Sequence, residues 1–364
     1  MDRTSPARAP AEMGPEQLAQ LFGIADLPDR LAAVDDRIAV ILERDGALLG
    51  PAAARVATNG GKRLRPLLTI VGAGLGDTFD DRVVAAAAAV ELVQVGSLVH
   101  DDILDRAATR RGRPTINAVE GVDHAVLAGD YILARAAELA ASVSGEAAEL
   151  LAVTLGELCE GQVQEMRDAF DPDRSVDAHL GSIRGKTAAL FECSCRLGAH
   201  CAGLSEPNTR ALARFGHAFG MGFQVLDDLL DLIGDADRLG KPTGNDIASG
   251  VYTLPVLAAL TGPRGDELRR LLPGAGGEDD PGDGDTASPT ELAGAIELVR
   301  DSGSMAVALQ AMDRYADDAR RAVAHLNQTT IGGGLAAFPR LYTTWALETF
   351  MDARYIDTPL TATG

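Results

Sequence analysis

The amino-acid sequence predicts an all-α protein, a single-domain helical bundle around a central cavity. Three observations favour this fold class. Apolar residues recur at helical spacing along most of the 364-residue chain, and no stretch of alternating β-branched residues is long enough to predict a sheet. Alanine is abundant and aromatic residues make up only 4% of the chain, a composition that favours closely packed helices.

The chain begins with a segment that has no helical pattern. Residues 1–26 are predicted to be flexible, because proline and alanine dominate their first part. Helical spacing begins near Leu27, so residues 27–364 are assigned to one helical domain. The length alone suggests two domains, but two acidic motifs described below must share a site, which favours one. The acidic, glycine-rich run 273–287 is interpreted as a flexible insertion.

Seven further helices follow from periodicity and from the breakers between the periodic stretches. They are predicted at 81–105, 121–143, 146–168, 176–203, 206–234, 304–327 and 335–354. Glycines are costly inside a helix, so Gly216, Gly220 and Gly222 within 206–234 indicate close approach of a neighbouring helix or a bend. Gly185 in the helix at 176–203 indicates a similar local bend.

Charge and cysteine usage exclude several classes of protein. The net charge of −20 argues against nucleic-acid binding, which needs a broad positive surface. The four cysteines lack the spacing of a zinc site and are expected to be reduced thiols. The N-terminus has no apolar signal core, and no later stretch is expected to be an integral membrane segment. We therefore expect a cytoplasmic protein.

The helix at 81–105 runs into three carboxylates and then into three arginines. Asp101, Asp102 and Asp105 are spaced so that the first and third lie on one side of a helix, one turn apart. Such close carboxylates repel each other, and Mg²⁺ would relieve the repulsion while taking its other ligands from phosphate oxygens. The guanidinium groups that follow are well shaped for phosphate; they belong to Arg110, Arg111 and Arg113.

A second copy of this pattern lies in the helix at 206–234. Asp227, Asp228 and Asp231 repeat the spacing, and a cation, Lys241, again follows. Two such helices facing each other could hold Mg²⁺ ions between them, with a diphosphate bridging the metals. A separate basic segment, with Lys62 and Arg65, opens a helix after two glycines, where free backbone N–H groups also favour phosphate.

With these motifs the chain resembles the trans-polyprenyl diphosphate synthases, of the isoprenyl diphosphate synthase family. Besides the two aspartate motifs, three signatures occur in the family's order: GGKRLRP at 60–66, GDYIL at 129–133 and GKTAALF at 185–191. The resemblance covers about residues 45 to 355. It implies the isoprenoid synthase fold and Mg²⁺-dependent, head-to-tail condensation of isopentenyl diphosphate with an allylic diphosphate, with release of pyrophosphate.

The resemblance also assigns roles to individual residues. It implies that both aspartate motifs are catalytic, with Lys186 and Lys241, and that three Mg²⁺ ions are held by Asp101, Asp105 and Asp227. The isopentenyl diphosphate ligands would be Lys62, Arg65, Gln94 and Arg111. The allylic diphosphate ligands would be Arg110, Lys186, Thr187, Gln224 and Lys241. The chain departs from many relatives at Gln94, where histidine is common, and at Val251, where lysine is common.

Product length should depend on side chains that precede the first motif on its helix. Ser97, Gly96 and Val93 lie four, five and eight residues before Asp101 and line a path leading away from the metals. Family members with short products tend to carry a Phe or Tyr at the first two of these positions. Neither is present, so we expect a medium- to long-chain all-trans product, which Gly96→Phe should shorten.

Three alternatives and one assembly state stay open. A short-chain synthase making a farnesyl or geranylgeranyl product would share every motif. A class I terpene cyclase also uses DDxxD, but it normally has a different second motif and a pocket rich in aromatic residues. A non-catalytic subunit of a heteromeric synthase would be expected to have lost aspartates, and both motifs are intact. The family resemblance also implies a homodimer.

Overall fold

The computed structural model describes residues 13–43, 48–239, 243–273, 288–352 and 355, and most of these residues are helical. Helices α1 to α9 are Pro15–Phe22, Leu27–Glu43, Gly50–Ala57, Leu64–Gly74, Asp81–Leu104, Ile116–Glu120, Val122–Val143, Gly145–Arg167 and Val176–Ile183. A π-helical turn, Arg184–Ala188, leads into α10. Helices α10 to α18 are Ala189–Cys201, Glu206–Ile233, Ala236–Leu239, Asn245–Ala248, Leu254–Leu260, Gly265–Leu271, Pro289–Asp301, Met305–Ala322 and Thr330–Phe350, with a 3₁₀ turn at Ala324–Leu326.

Helix α5 is the central element of the bundle. Asp80 caps its start by accepting hydrogen bonds from the N–H groups of Arg82 and Val83. The helix then packs against α2, α4, α7 and α10, and its run of five alanines, 85–89, is buried. Small side chains let the neighbouring helices approach closely. We expected no stretch long enough to cross a membrane; α5 is in fact long and apolar enough, but most of it is buried inside the bundle.

One hydrophobic cluster runs through the described residues, from Leu18 in α1 to Ala346 in α18. Helix α11 packs against α10 and α17 within this core. A Cβ on Gly216 would lie 2.5 Å from the carbonyl oxygen of Phe191, and one on Gly220 would lie 2.7 Å from Cα of Ala188. These contacts confirm close helix approach as the reason for both glycines.

The prediction of a flexible segment over residues 1–26 is wrong for its second part. Residues from Pro15 to Phe22 form α1, and Phe22 is fully buried. This helix packs against the start of α18, where a side chain on Gly334 would lie 2.6 Å from the carbonyl oxygen of Leu21. The same glycine-rich stretch explains why α18 begins at Thr330 rather than at the predicted residue 335, since glycines mask a helical pattern in the sequence.

Two more boundaries differ from the prediction. The single helix expected at 176–203 is divided by the π turn into α9 and α10. A two-residue antiparallel ladder, β1 (Thr109–Arg110) with β2 (Arg113–Pro114), interrupts the otherwise helical fold. Its two central residues, Arg111 and Gly112, both have positive φ, which is the turn geometry that matches strand twist in a hairpin. The predicted insertion lies outside the described residues from position 274 to 287.

Candidate active site

The first aspartate motif lies where α5 ends, and its carboxylates face two ways. Desolvation raises the pKa of Asp101, the Lys186 ammonium opposes that rise, and Asp105 adds to it. Desolvation also raises the pKa of Asp105, and Lys186 again opposes it. Asp102 is buried and instead accepts a hydrogen bond from Arg110, with 2.6 Å between Nε and Oδ1. Asp101 and Asp105 therefore share the surroundings of Lys186, as their spacing predicts.

Lys186 lies in the π turn and makes an ion pair with α8. Its ammonium donates to Glu165 at 2.6 Å; although desolvation works against the charged form, Glu165 and then Asp101 raise the pKa of Lys186. The π turn approaches α8 so closely that a Cβ on Gly161 would lie 2.4 Å from the backbone nitrogen of Lys186. Single π turns are frequent at functional sites. Glu165 could not be predicted from the sequence, because one acidic residue on a polar helix gives no signal.

The next residue of the same turn reaches the second aspartate motif. The hydroxyl of Thr187 donates to Oε1 of Gln224 at 2.8 Å, and the amide of Gln224 donates to Oδ1 of Asp228 at 2.9 Å. The other carboxylate oxygen of Asp228 lies 3.3 Å from Nε2 of His179 on α9. Thr187, Asp228 and His179 are all buried. The sequence analysis found no role for His179, since its partner lies 49 residues away along the chain.

The remaining aspartates of the second motif have different surroundings. Asp227 is exposed, whereas Asp231 is buried and accepts a hydrogen bond from the backbone N–H of Asp246 at 3.1 Å. Asp231 therefore anchors the chain that follows α11. Lys241, predicted to be an allylic diphosphate ligand, lies outside the described residues. Val251, at the position where many relatives have lysine, is half-buried.

The two motifs lie near one another, because adjacent residues of the π turn reach the surroundings of both. Lys186 interacts with Asp101 and Asp105, and Thr187 bonds to Gln224, which lies three residues before Asp227. Had the motifs lain on distant surfaces, consecutive residues of one turn could not have reached both.

The basic segment before α4 supplies cations from a second direction. The Nζ of Lys62 donates to the hydroxyl of Tyr342 at 3.0 Å. Desolvation lowers the pKa of Lys62, and Asp227 opposes this change, so the segment lies near the second motif. The guanidinium of Arg65 stacks 4.3 Å above the ring of Phe191, and burial lowers its pKa to about 10, so it stays charged at neutral pH.

The hairpin formed by β1 and β2 carries Arg110 and Arg111, and we call it the arginine hairpin. It packs against the basic segment before α4. Arg111 donates to the backbone carbonyls of Asn59 at 3.2 Å and Gly60 at 2.6 Å. A small cleft lies beneath, and Gln94, Arg110 and Arg111 are among its lining residues. Of the four predicted isopentenyl diphosphate ligands, the cleft brings together two, whereas Lys62 and Arg65 do not line it.

With this geometry established, comparison with known proteins identifies the family. A family model described as polyprenyl synthetase matches residues 47–280. The chain belongs to the polyprenyl synthetase family. It is therefore a prenyltransferase, and the solved structures described next support the all-α isoprenoid synthase fold that its sequence predicts.

Individual members of the polyprenyl synthetase family are similar over most of their length. Heptaprenyl diphosphate synthase component 2 of Geobacillus stearothermophilus is 38% identical, over 80% of this chain and 88% of that protein. A short chain isoprenyl diphosphate synthase of Methanocaldococcus jannaschii is 36% identical over 75% and 82%. A polyprenyl synthase from Caulobacter crescentus, solved with calcium and isoprenyl diphosphate, superimposes with a TM-score of 0.81 at 31% identity, covering 93% of this chain and 99% of that one.

The aspartates of this polyprenyl synthetase fit a divalent cation by their chemistry. Within the described ranges, no three His, Cys, Asp or Glu side chains are close enough to hold one metal ion together. Desolvation, and the nearby carboxylates of Asp105 and Glu165, nevertheless raise the pKa of Asp101. A bound cation would relieve this unfavourable concentration of negative charge.

The predicted chain-length residues lie on the buried part of α5. Val93 is buried, and Ser97 is half-buried with its hydroxyl bonded to the carbonyl of Gln94. A Cβ on Gly96 would lie 2.9 Å from the side chain of Leu133 on α7. A phenylalanine at position 96 would therefore press on α7 as well as on any product path. This makes Gly96→Phe a poorer probe of product length than the sequence suggested.

Proposed function

We propose that the chain is a polyprenyl diphosphate synthase that condenses isopentenyl diphosphate with an allylic diphosphate, head to tail, and releases pyrophosphate. The observation that carries this proposal is the π turn, in which Lys186 faces the first aspartate motif and Thr187 bonds to the helix of the second. A diphosphate between the motifs would meet carboxylates from both helices and a cation from the turn.

The allylic diphosphate must ionise to a carbocation and pyrophosphate. In this proposal Asp101, Asp105 and Asp227 hold Mg²⁺, three ions in each site; when bound, Mg²⁺ neutralises the diphosphate oxygens of the leaving group. Protein groups neutralise the rest of the developing charge and replace water, which would quench the carbocation. The proposed allylic diphosphate ligands are Arg110, Lys186, Thr187, Gln224 and Lys241.

The second substrate is proposed to bind on the side of α4 and the arginine hairpin. Its diphosphate would be held by Lys62, Arg65, Gln94 and Arg111, so that the double bond of isopentenyl diphosphate attacks the carbocation. Attack forms the new carbon–carbon bond and leaves a cation on the isopentenyl unit. Loss of a proton from that unit to the released pyrophosphate completes the product, which needs no protein base.

The test is release of pyrophosphate by the purified protein with Mg²⁺, isopentenyl diphosphate and an allylic primer. Activity should require both substrates and should stop when the metal is chelated. No release with any primer from five to twenty carbons would contradict the proposal. Such a result would instead favour a subunit of a heteromeric synthase, as the name of the Geobacillus relative, component 2, suggests for that protein.

We propose a medium- to long-chain product, because Val93, Gly96 and Ser97 leave the path behind the first motif without an aromatic side chain. Sizing the products by chromatography tests this directly. Ser97→Phe should shorten the product, whereas Ser97→Ala should leave its length unchanged. A farnesyl or geranylgeranyl product from the wild-type protein would favour the short-chain alternative.

We also propose a homodimer. Apolar side chains on α7 are strongly exposed for a monomer surface: Val122 is 55% exposed, Val126 40% and Leu127 55%. Val122 and Val126, four residues apart, lie on one side of the helix, where a second copy could cover them. Light scattering of the wild-type protein should give twice the chain mass, and Val126→Glu should shift it toward the monomer.

A cytoplasmic location is proposed from the cysteines. All four are free thiols, and Cys193, Cys195 and Cys201 are buried. Burial raises the pKa of Cys201 to about 11, which keeps its thiol protonated and unreactive at neutral pH. Reduced thiols persist in the cytoplasm. Fractionation of cells producing the protein would test the location.

A further inference from the structure

Three aromatic side chains of the last helix, α18, lie close to the ammonium group of Lys62, a residue that is otherwise exposed. Its Nζ lies 5.3 Å from the ring centre of Tyr342, 5.0 Å from that of Trp345 and 4.9 Å from that of Phe350. The rings also contact one another, with centroids 5.6 Å apart for Tyr342 and Trp345 and 5.6 Å apart for Trp345 and Phe350. We call Tyr342, Trp345 and Phe350 the ring cluster.

The ring cluster stabilises a cation without neutralising it. Two other cations nearby are ion-paired: Lys186 with Glu165 at 2.6 Å, and Arg63, next to Lys62, with Glu91 at 2.6 Å. In the part of the chain that the structure describes, Lys62 has no ion-pair partner; it has the rings and the Tyr342 hydroxyl. Aromatic faces attract an ammonium group through their quadrupole but carry no net charge. The positive charge of Lys62, on which the nearby Asp227 carboxylate also acts, is therefore not neutralised by the rings and is available to a ligand.

The ring cluster is fixed in place at both ends. Tyr342 is only 2% exposed and packs against Phe219 and Phe338 of the core. At the other end of α18, the carbonyl of Phe350 accepts a hydrogen bond at 2.8 Å from the backbone N–H of Asp235, which follows the helix of the second aspartate motif. The rings thus hold Lys62 at a fixed distance from that motif.

We propose that Tyr342, Trp345 and Phe350 are positioning residues that hold the Lys62 ammonium unpaired and in place for the diphosphate of isopentenyl diphosphate. The inference rests on the function proposed above and adds a specific contribution from α18 to one of the two substrate sites. Loss of a ring weakens binding of isopentenyl diphosphate. Ionisation of the allylic substrate, which involves other residues, is unaffected.

Steady-state kinetics of Trp345→Leu provide the first test. The KM for isopentenyl diphosphate should rise about five-fold, as expected for loss of one cation–π contact, while kcat and the KM for the allylic primer stay within about two-fold. Trp345→Phe restores a ring and should return the KM toward the wild-type value. Thr344→Ala, an exposed neighbour on the same helix, is the matched control and should behave as wild type.

An unchanged KM in Trp345→Leu, beside an active wild-type protein, would overturn the inference. A fall in kcat together with equal rises in the KM values of both substrates would also overturn it, because it would indicate a general effect on structure. If the wild-type protein releases no pyrophosphate at all, the proposed function fails instead, and the fluorescence measurement described next still tests the ring cluster.

Fluorescence provides the second test, because Trp345 is the single tryptophan of the chain. Its emission should change saturably as isopentenyl diphosphate or inorganic pyrophosphate is added, since the ligand compensates a charge 5.0 Å from the indole ring. Lys62→Met should abolish this response while circular dichroism shows an intact helical fold. A response of the same size in Lys62→Met would contradict the inference, whether or not the protein is an active synthase.

Discussion

At the end of α5, Asp101 and Asp105 face the Lys186 ammonium, and desolvation raises the pKa of each carboxyl group. In α11, which carries the same DDxxD spacing, Asp228 and Asp231 are buried; Asp228 accepts a hydrogen bond from Gln224, and Asp231 accepts one from the backbone N–H of Asp246 in α13. The first motif thus concentrates negative charge where Mg²⁺ and the allylic diphosphate are proposed to bind. The second uses two of its three carboxylates to hold the surrounding structure.

The difference arises from what surrounds each motif. The first motif ends α5, and its last carboxylate, Asp105, is exposed. The second ends two residues before the end of α11, with Leu229, Leu230 and Leu232 buried around it. A buried carboxylate without hydrogen-bond partners is costly, so the chain must supply partners at these positions. Identical spacing therefore predicts a shared helix face but not a shared role.

Asp101→Asn should give the largest effect of any substitution in this comparison. Pyrophosphate release should fall by about 100-fold or more, because one of the carboxylates proposed to hold Mg²⁺ is lost. The free energy of unfolding should change by less than about 0.5 kcal/mol, because none of the described residues makes a buried hydrogen bond to the carboxylate of Asp101 that the change would leave unsatisfied. Initial rates and urea denaturation of the same preparations measure the two quantities.

A thermal-shift experiment separates metal binding from activity in the same variant. Mg²⁺ with inorganic pyrophosphate should raise the melting temperature of the wild-type protein, since binding to the native state stabilises it. Asp101→Asn should show little or none of this rise. An undiminished shift in the variant would remove Asp101 from the proposed metal ligands.

Asp228→Ala should have the opposite profile, with stability affected first. Removing this carboxylate takes away the hydrogen-bond acceptor of the Gln224 amide and the charged neighbour of the His179 ring. The free energy of unfolding should fall by about 3 kcal/mol. The exposed Asp227 is the matched control, and Asp227→Ala should cost less than about 0.5 kcal/mol in stability. Urea denaturation of the two variants measures both changes. Equal losses of stability would contradict a structural role that belongs to Asp228 and not to Asp227.

Much of this arrangement could be predicted from the sequence, and the limits have physical causes. Helical periodicity predicted the main helices, because a bundle buries one face of each, and the spacing of Asp101 and Asp105 predicted their common face. Periodicity could not predict α1, whose eight residues are too few to show a clear pattern. Partnerships between distant positions, such as Glu165 with Lys186, depend on tertiary packing that no local pattern encodes.

Gly161→Ala tests whether the close approach of α8 and the π turn is what holds Lys186 beside the first motif. The new Cβ would lie 2.4 Å from the backbone nitrogen of Lys186, so the two elements must separate. The free energy of unfolding should fall by about 1–3 kcal/mol, and pyrophosphate release should fall as well. Gly156→Ala on the same helix meets nothing within 4 Å and should instead raise stability by about 0.5–1 kcal/mol.

Thr187→Val should give the smallest effect, and it tests whether the π turn also supports the second motif. Valine keeps the shape of threonine but cannot donate to Gln224, so one buried hydrogen bond of 2.8 Å is lost. The cost should be about 1 kcal/mol of stability, because the amide of Gln224 keeps its bond to Asp228. If Thr187 affects activity only by orienting Gln224, then Gln224→Leu alone should lower activity as much as the double variant Thr187→Val with Gln224→Leu. A double-mutant cycle with additive losses would show that the two side chains act separately, and the π turn would then serve only the first motif.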